Sequence, residues 1–274
     1  MTSAEHVARP SAWAEPGPIP RFVMDTVTIL RFELVKIRHD PYEIVSRAVQ
    51  PLLWLLVFGQ VLARSRAIPT GNLPYLDYLA PGVLAQSAQF IAIFYGLAVI
   101  WERDLGLVHK LLVTPSSRGS LVLGKALAGG VRALVQALIV YVAAFAVGVS
   151  LRLDPISIAQ VVLVVILGSS LFATFSLVIA CAVRSRERFM GIGQILTMPL
   201  FFASSAIYPI DLMPNWLQVV ANLNPLTYMV DALRALMVNG ASSPRGVGVD
   251  IAVLSVILIV LVWLGARLYP RLAQ

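Results

Sequence analysis

The sequence predicts an all-α polytopic membrane protein, and three properties of the chain lead to this fold class. Of its 274 residues 58% are hydrophobic and only 13% are charged, and the mean hydropathy is +0.83. A soluble domain carries about 25% charged residues, so this chain could not cover a water-exposed surface. The same composition excludes disorder of the whole chain. Finally, the apolar residues are gathered in six separate segments near the length of about 20 residues that a membrane helix needs.

The six predicted membrane helices differ in quality. In chain order they cover residues 46–63, 78–100, 126–149, 156–183, 190–207 and 251–268. The first and the fifth are short and contain Pro51 and Pro199, respectively. The second, third and fourth are longer.

The N-terminal region is predicted to stay outside the bilayer core. Residues 1–20 are rich in Pro, Ala and Gly and lack the apolar stretch of a signal peptide, which indicates a disordered cytoplasmic tail. In residues 21–39, Val23, Val27, Leu30 and Leu34 fall on one helical face among charged residues. This pattern predicts an amphipathic helix in the membrane interface, and an ordinary solvated helix is the alternative.

The basic residues orient the chain. With the N-terminus in the cytoplasm, 16 of the 21 Lys and Arg residues lie in cytoplasmic regions. The five outside are Arg64, Arg66, Arg152, Arg234 and Arg245. Because basic residues accumulate on the cytoplasmic side, both termini are predicted to be cytoplasmic. The same distribution explains the net charge of +7 without a nucleic-acid partner.

The cytoplasmic loop 101–125 contains a short amphipathic helix. Its apolar side is formed by Leu105, Val108, Leu111 and Leu112, and Pro115 follows it. Such a helix either floats at the interface or forms a docking surface for a soluble partner.

A GxxxxGK match at residues 119–125 in the same loop resembles a phosphate-binding loop. It is followed by Ala126 in place of the required Ser or Thr, and no strand precedes it. ATP binding by this chain is therefore not expected.

The outer segment 208–238 is broken by Pro209, Pro214 and Pro225 into pieces too short to span. Irregular backbone at membrane depth must be covered by protein or line a cavity. The segment therefore predicts two re-entrant helices, at 216–223 and 226–237. An ordinary outer loop with an interfacial tryptophan is the alternative.

Sequence patterns for catalysis are absent. The chain has one cysteine and three histidines, with neither HExxH nor GxSxG, so no catalytic or metal-binding residue is expected. Polar residues within or near the helices are candidates for a transport pathway: Gln86, Gln89, Tyr95, Gln136 and Gln194. Interhelical hydrogen bonding is the preferred explanation for them.

Three blocks of motifs carry a resemblance to a known family. The first is WERDLG at 101–106 with LVTPSSR at 112–118 and LGK at 123–125, the second YP at 208–209 with MPNWL at 213–217, and the third NPLTY at 224–228 with DALR at 231–234. In this order, and with six helices, they resemble the ABC-2 type exporter permeases, most closely the daunorubicin-resistance branch. The similarity covers residues 21–270.

The resemblance implies a half-transporter in a bacterial plasma (inner) membrane. Two permease subunits, identical or paralogous, would pair in the lipid, and two copies of a separate ABC ATP-binding subunit would hold ATP and Mg²⁺. Coupling to the ATPase would involve Glu102, Arg103, Asp104, Leu105, Gly106, Val108, Leu111, Leu112 and Pro115. The outer gate would involve Tyr208, Pro209, Trp216, Asn224, Pro225 and Tyr228.

The expected substrate is an amphipathic, lipid-like, glycolipid or drug-like molecule, because the helices offer an apolar pathway almost free of charge. The alternative function is a secondary transporter driven by an ion gradient. Against it, the helix centres lack carboxylates that could relay protons, and the two halves lack paired broken helices. A membrane-embedded enzyme and a scaffold protein are weaker alternatives.

Overall fold

The computed structural model describes residues 17–37, 41–66, 68–107, 117–183 and 185–270, and these ranges are almost entirely helical. The α-helices are α1 (Pro18–Ile37), α2 (Pro41–Leu53), α3 (Gly59–Ser65), α4 (Tyr75–Asp104), α5 (Arg118–Ala146), α6 (Pro155–Ala182), α7 (Arg186–Phe202), α8 (Asn215–Leu223), α9 (Pro225–Met237) and α10 (Val247–Leu268). A π-helical stretch, Trp54–Phe58, joins α2 to α3, and a short 3₁₀ turn, Ile210–Leu212, precedes α8. Within the described ranges the β-structure is one isolated antiparallel bridge between Leu151 and Val238.

Five helices among the described residues are long and apolar enough to cross a membrane: the continuous stretch Arg47–Ser65, then α4, α5, α6 and α10. The predicted fifth span corresponds to α7, which has 17 residues and is shorter than the others. The unwinding after Phe202 cuts this helix short. The structure thus supports a polytopic helical membrane protein with five such helices.

Hydrogen bonds made by side chains show which helix ends lie together at each end of the bundle. At the end we call proximal, Arg103 at the end of α4 donates to the carbonyl of Val183, just after α6, at 3.2 Å. At the opposite, distal end, the amide of Ser150 donates to Asp77 near the start of α4 at 3.3 Å. Helix α7 runs between the two ends, since Arg186 bonds Asp104 proximally and the carbonyl of Leu200 accepts from Asn224 distally.

The core consists of α4, α5 and α6, which approach closely at glycines. A Cβ placed on Gly130 would lie 2.6 Å from the hydroxyl of Ser170 and 2.8 Å from the carbonyl of Ile166. On the other side of α6, a Cβ on Gly96 would lie 3.0 Å from the backbone of Ser176. Small residues at helix contacts are how membrane helices gain packing energy without a hydrophobic driving force between them.

Capping residues fix where several helices begin. Ser117, Asp154, Ser185 and Asn224 each accept a hydrogen bond from an amide in the first turn of α5, α6, α7 and α9, respectively. Proline is the first residue of α6 and of α9, where its missing N–H costs nothing. These are local signals, and they explain why the start of α6 lies within one residue of its predicted start.

Helix α1 forms where the interfacial helix was predicted, and it packs on the proximal part of α5. Phe22 lies over Gly119, and Ile29 lies over Gly124, where an added Cβ would be 2.8 Å from it. Val23 and Val27, on the neighbouring face, remain exposed. An apolar face without a protein partner is what an interfacial helix needs.

Helix α5 begins eight residues earlier than the predicted span. Residues 118–125, assigned above to the cytoplasmic loop, form its first two turns, and α4 continues to Asp104. The prediction began the span at Ala126 because Lys125 was assigned to the cytoplasmic loop 101–125. In the structure the charge of Lys125 is paired instead, and the GxxxxGK match lies in a helix and cannot wrap around a phosphate.

Candidate coupling and gating sites

A buried ionic cluster joins three helices at the proximal end. The ammonium of Lys125 on α5 donates to a carboxylate oxygen of Glu33 on α1 at 2.9 Å and to one of Glu102 on α4 at 2.5 Å. The side chain of Lys125 is only 1% exposed. Removing one member of a buried ion pair typically costs about 3–5 kcal/mol, because a buried charge is left uncompensated. The cluster therefore locks α1, α4 and α5 together beside the predicted coupling segment.

Tyr269 brings a fourth element to this cluster. It directly follows α10, is fully buried, and packs with Val99, Leu121 and Val122. Burial raises the pKa of Tyr269 to about 12, and the charge of Lys125 is near enough to oppose that rise. The phenol is therefore neutral at physiological pH and adds no charge to the cluster.

The part of the predicted coupling segment that the structure describes contains an exposed ionic contact and an exposed apolar residue. Asp104 accepts hydrogen bonds from Arg103 at 3.1 Å and from Arg186 at the start of α7 at 2.9 Å. Leu105 is 69% exposed. Gly106 has a φ of +70°, a backbone conformation that glycine adopts readily because glycine has no Cβ. Four further predicted coupling residues lie outside the described residues: Val108, Leu111, Leu112 and Pro115.

Glu102 differs from its neighbours in the predicted coupling set. It faces inward to Lys125, whereas Asp104 and Leu105 lie at the surface. The end of α4 thus has one face that holds the bundle and another that is available to a partner.

A second buried polar network lies at the distal end, in the predicted outer-gate region. Arg234 on α9 bonds Asp231 at 3.2 Å, the carbonyl of Ser205 at 2.6 Å and the carbonyl of Tyr78 at 3.3 Å. Its guanidinium also stacks 3.8 Å from the centre of the Tyr78 ring. The hydroxyl of Ser205 donates to Asp231 at 2.6 Å. Helix α9 is thereby attached to α4 and to the turn after α7.

Arg245 extends this network towards the surface. It donates to the second carboxylate oxygen of Asp231 at 3.1 Å and to the amide oxygen of Asn222, and it stacks 4.9 Å from the centre of the Tyr228 ring. The loop before α10 is thus linked to both α8 and α9.

The predicted gate residues divide into anchors and exposed positions. Asn224 is buried and donates to the carbonyls of Leu200 and Ala203 at 2.6 and 2.7 Å. Tyr228 donates to the carbonyl of Asn222 at 2.7 Å. Tyr208 donates to the carbonyl of Phe202 at 2.7 Å. Pro225 is the first residue of α9, and Pro209 is partly buried. Trp216 is exposed on α8. The short helices α8 and α9 lie where the two re-entrant helices were predicted.

Of the five predicted pathway residues, the structure places four inside the protein. Gln86, Gln89, Tyr95 and Gln136 are buried, whereas Gln194 is exposed on α7. Both amide atoms of Gln89 and of Gln136 lack a hydrogen-bond partner among the described residues.

The packing register puts these amides at one level of the core. Gly96 meets Ser176, and Gly129 meets Tyr95. Two helical turns further towards the distal end, Gln89 on α4 and Gln136 on α5 therefore lie at a similar level. The hydroxyl of Ser169 on α6 is also without a partner among the described residues.

Sequence reasoning missed the pairing of the charges. Lys125, Arg234 and Arg245 were counted as basic residues near membrane ends, and Lys125 and Arg234 also as parts of family motifs. Glu33 was one of the charged residues in the predicted interfacial helix. The spacing of Asp231 and Arg234, which suits an ion pair within one helix, was the available signal. No local signal pairs Lys125 with Glu33, which is 92 residues away.

Comparisons with known proteins agree with this architecture. The profile described as ABC-2 type transporter matches residues 24–238. This range includes the proximal ionic cluster without Tyr269 and the distal polar network without Arg245. A transport permease, ycf38, of Cyanophora paradoxa is 29% identical over 222 residues, covering 78% of this chain and 74% of that protein. The daunorubicin resistance ABC transporter permease protein DrrB1 of Streptomyces coeruleorubidus is 23% identical over 247 residues, covering 90% and 86%. Nodulation protein J of Rhizobium leguminosarum bv. trifolii is 26% identical over 196 residues, covering 71% and 73%. The chain therefore belongs to the ABC-2 type transporter family, as a membrane permease subunit of an ABC transporter.

Proposed function

We propose that this chain is the membrane subunit of an ATP-driven exporter, which moves an amphipathic, lipid-like, glycolipid or drug-like molecule out across the plasma membrane. The observation that carries the proposal is the family match over residues 24–238. Relatives named as daunorubicin and doxorubicin resistance permeases favour an amphipathic cargo. ABC-2 permeases work with ATP-binding subunits, so ATP and Mg²⁺ bind, and ATP is hydrolysed, in a separate subunit present in two copies.

The proximal end of the bundle is where that ATPase subunit docks. The exposed residues Asp104 and Leu105 and the partly buried Gly106 begin the docking segment, which continues through the residues up to Pro115. Because α4 runs directly into this segment, a displacement of the docked ATPase reaches α4 first. The cluster of Lys125, Glu33 and Glu102 passes it to α5 and α1, and the contact of Asp104 with Arg186 passes it to α7.

The distal end forms the outer gate. Helices α8 and α9 close the pathway, and the network of Asp231, Arg234 and Arg245 holds them closed. The hydrogen bonds of Arg234 to the carbonyl of Tyr78 and of Asn224 to the carbonyl of Leu200 link this gate to α4 and α7, the helices that receive the displacement at the other end.

In the proposed assembly two permease subunits, identical or paralogous, pair in a bacterial plasma membrane. Both termini face the cytoplasm, so the proximal end is cytoplasmic and the distal end is outside. The distribution of basic residues supports this orientation.

A pull-down tests the proposal. The tagged full chain is isolated in mild detergent from its native membranes, and copurifying proteins are identified by mass spectrometry. We expect an ATPase with phosphate-loop and signature motifs in a one-to-one ratio with the permease. Recovery of the folded permease without any ATPase would contradict the coupling assignment.

The energy source gives an independent check against the secondary-transporter alternative. Export of a fluorescent amphipathic drug from cells should stop on ATP depletion and continue after a protonophore is added while ATP is maintained. The opposite pattern would show an ion-driven carrier.

A further inference from the structure

Arg132 on α5 carries a charge that neither the proposed coupling nor the proposed gating uses. It is the central residue of this 29-residue helix, which is one of the five membrane-crossing stretches. Lys125 lies on the same side of α5, two turns or about 10 Å nearer to the proximal end. A charged side chain within a membrane-crossing helix is costly, and such residues either pair with another charge or mark a substrate pathway.

The two cations on this side of α5 differ in their partners. Lys125 is held by Glu33 and Glu102. Within the described ranges Arg132 has no carboxylate partner, and its buried Nε has no hydrogen-bond acceptor. The guanidinium stacks 4.9 Å from the centre of the Tyr95 ring. Stacking attracts and positions the guanidinium, but it gives the N–H groups no acceptor.

Tyr95 brings a second donor without an acceptor to the same place. Its side chain is only 5% exposed, and its hydroxyl has no hydrogen-bond partner among the residues that the structure describes. The ring packs against Gly129, one turn before Arg132 on α5. Unpartnered polar groups in a protein interior are unfavourable. Since Arg132 and Tyr95 can both donate, the group that would satisfy this stack is an acceptor.

Arg132 is accessible from the surface of the bundle, whereas Lys125 is enclosed. Towards the distal end, Arg132 is followed by an exposed apolar stripe at three- and four-residue intervals, formed by Val135, Leu138 and Val142. An amphiphile with its polar head at Arg132 and its apolar chain on this stripe would have the orientation of a lipid in the leaflet at the proximal end.

We propose that Arg132 binds the acidic group of an anionic amphiphile that approaches from the proximal leaflet, while the apolar part of the same molecule lies along Val135, Leu138 and Val142. The acceptor is an oxyanion, such as a carboxylate or a phosphate, and Tyr95 holds the guanidinium in position for it. This inference rests on the proposed function and makes it more specific, because it names an anionic amphiphile as the substrate class of the exporter.

Thermal unfolding of the full chain in neutral detergent tests whether the charge lacks a structural partner. Arg132→Met should unfold at the same temperature as the unchanged protein or at a higher one, because an unpaired charge is replaced by an apolar side chain. Lys125→Met should unfold at a lower temperature, because two buried carboxylates lose their partner. A similar loss in both variants would show that Arg132 is part of a structural ion pair, and would overturn the proposal.

The same preparation, without any ATPase, is used to measure binding. Dioctanoyl phosphatidate is titrated, with dioctanoylglycerol and inorganic phosphate as probes that lack the charge or the acyl chains. We expect saturable stabilisation by phosphatidate alone. Arg132→Met should weaken the apparent affinity about tenfold, the equivalent of one charge-assisted hydrogen bond. Arg132→Lys retains the positive charge and should lose less affinity.

Arg267→Met is the matched control, because this guanidinium also stacks on an aromatic ring, 3.9 Å from the centre of that of Trp263, but lies near the end of α10. Its affinity for phosphatidate should equal that of the unchanged protein. Unchanged affinity in Arg132→Met would overturn the proposal, and so would equal binding of dioctanoylglycerol. Equal binding of inorganic phosphate would overturn the assignment of an amphiphile and identify a simple anion site.

ATP hydrolysis by the permease–ATPase complex separates a transported substrate from a resident lipid. Phosphatidate should stimulate hydrolysis, and half-maximal stimulation should need about tenfold more phosphatidate in Arg132→Met but not in Arg267→Met. Binding without stimulation would overturn the substrate class and identify a resident lipid. Because the binding measurement needs no ATPase, its failure would leave the exporter function to be decided by the pull-down.

Discussion

Lys125 shows how a single charge is accommodated inside an apolar bundle. Its ammonium is compensated by Glu33 and Glu102, which reach it from two other helices, and the side chain is removed from water almost completely. Exposed pairs contribute only about 0–1 kcal/mol. Buried ion pairs act differently, because removing one partner leaves the other charge buried and unpaired, which is strongly destabilising. The stability of the proximal end therefore depends on a few charged atoms.

Lys125→Met should destabilise the protein strongly, by about 3–5 kcal/mol, since two carboxylates would lose their buried partner. The triple variant with Glu33→Leu and Glu102→Leu should recover most of that loss, because the two carboxylates that lost the ammonium are then removed as well. Thermal unfolding in detergent measures both. Arg188→Met, at an exposed position of α7, is the control. A triple variant no more stable than the single one would contradict the ionic explanation.

The contact of Asp104 with Arg186 is exposed, so we expect it to matter for the proposed coupling more than for stability. Asp104→Arg should leave the unfolding temperature nearly unchanged and strongly reduce substrate-stimulated ATP hydrolysis in the permease–ATPase complex. The charge exchange Asp104→Arg with Arg186→Asp should restore part of the stimulation. If substrate stimulated ATP hydrolysis normally in the Asp104→Arg variant, the movement of the docked ATPase would not be transmitted through this contact.

At the scale of helices, the packing of the bundle depends on glycines where two helices approach closely. The contact of α5 with α6 requires glycine at positions 129 and 130, where a Cβ would meet Ala173 and Ser170 at 2.7 and 2.6 Å. Gly191 on α7 has the opposite surroundings, with nothing within 4 Å of a Cβ. The sequence alone does not distinguish these glycines, because each lies within an apolar helix.

Gly130→Leu should separate α5 from α6 and destabilise the protein by about 1–3 kcal/mol or more, the usual cost of overpacking. Gly191→Leu should be neutral or slightly stabilising, because leucine is the better helix former and has room. Thermal unfolding and gel filtration of the two variants side by side make the comparison. Equal losses in both would mean that α5 and α6 are not in direct contact at Gly130.

At the scale of the whole molecule, the sequence predicted what local chemistry determines. The helical membrane class, the limits of α6 and the two short helices before α10 follow from apolar run length, capping residues and prolines. The pairing of Lys125 with Glu33 and the bonds of Arg234 to the carbonyls of Tyr78 and Ser205 could not be predicted, because each joins residues that are far apart in the sequence. The predicted start of α5 was wrong because Lys125, a charged residue near the end of an apolar run, was assigned to the loop.

The proposed orientation predicts which positions are reachable from outside. In a Cys181→Ser background, Ser242→Cys in the distal loop before α10 should react with a membrane-impermeant maleimide on intact cells. Leu105→Cys, exposed at the proximal end, should react only after permeabilisation. Labelling of Leu105→Cys on intact cells would invert the topology.

The length of α4 makes the protein sensitive to the thickness of its membrane. Thirty helical residues extend about 45 Å, whereas the hydrocarbon layer is about 30 Å thick. A thinner bilayer favours a larger tilt of such a helix and a thicker one favours a smaller tilt. Since α4 carries a contact to the proposed distal gate near one end and Glu102 and Asp104 at the other, we expect a change of tilt to shift both together. We therefore expect the acyl-chain length of the host lipids to affect the position of the proximal end of α4, where the proposed coupling segment begins.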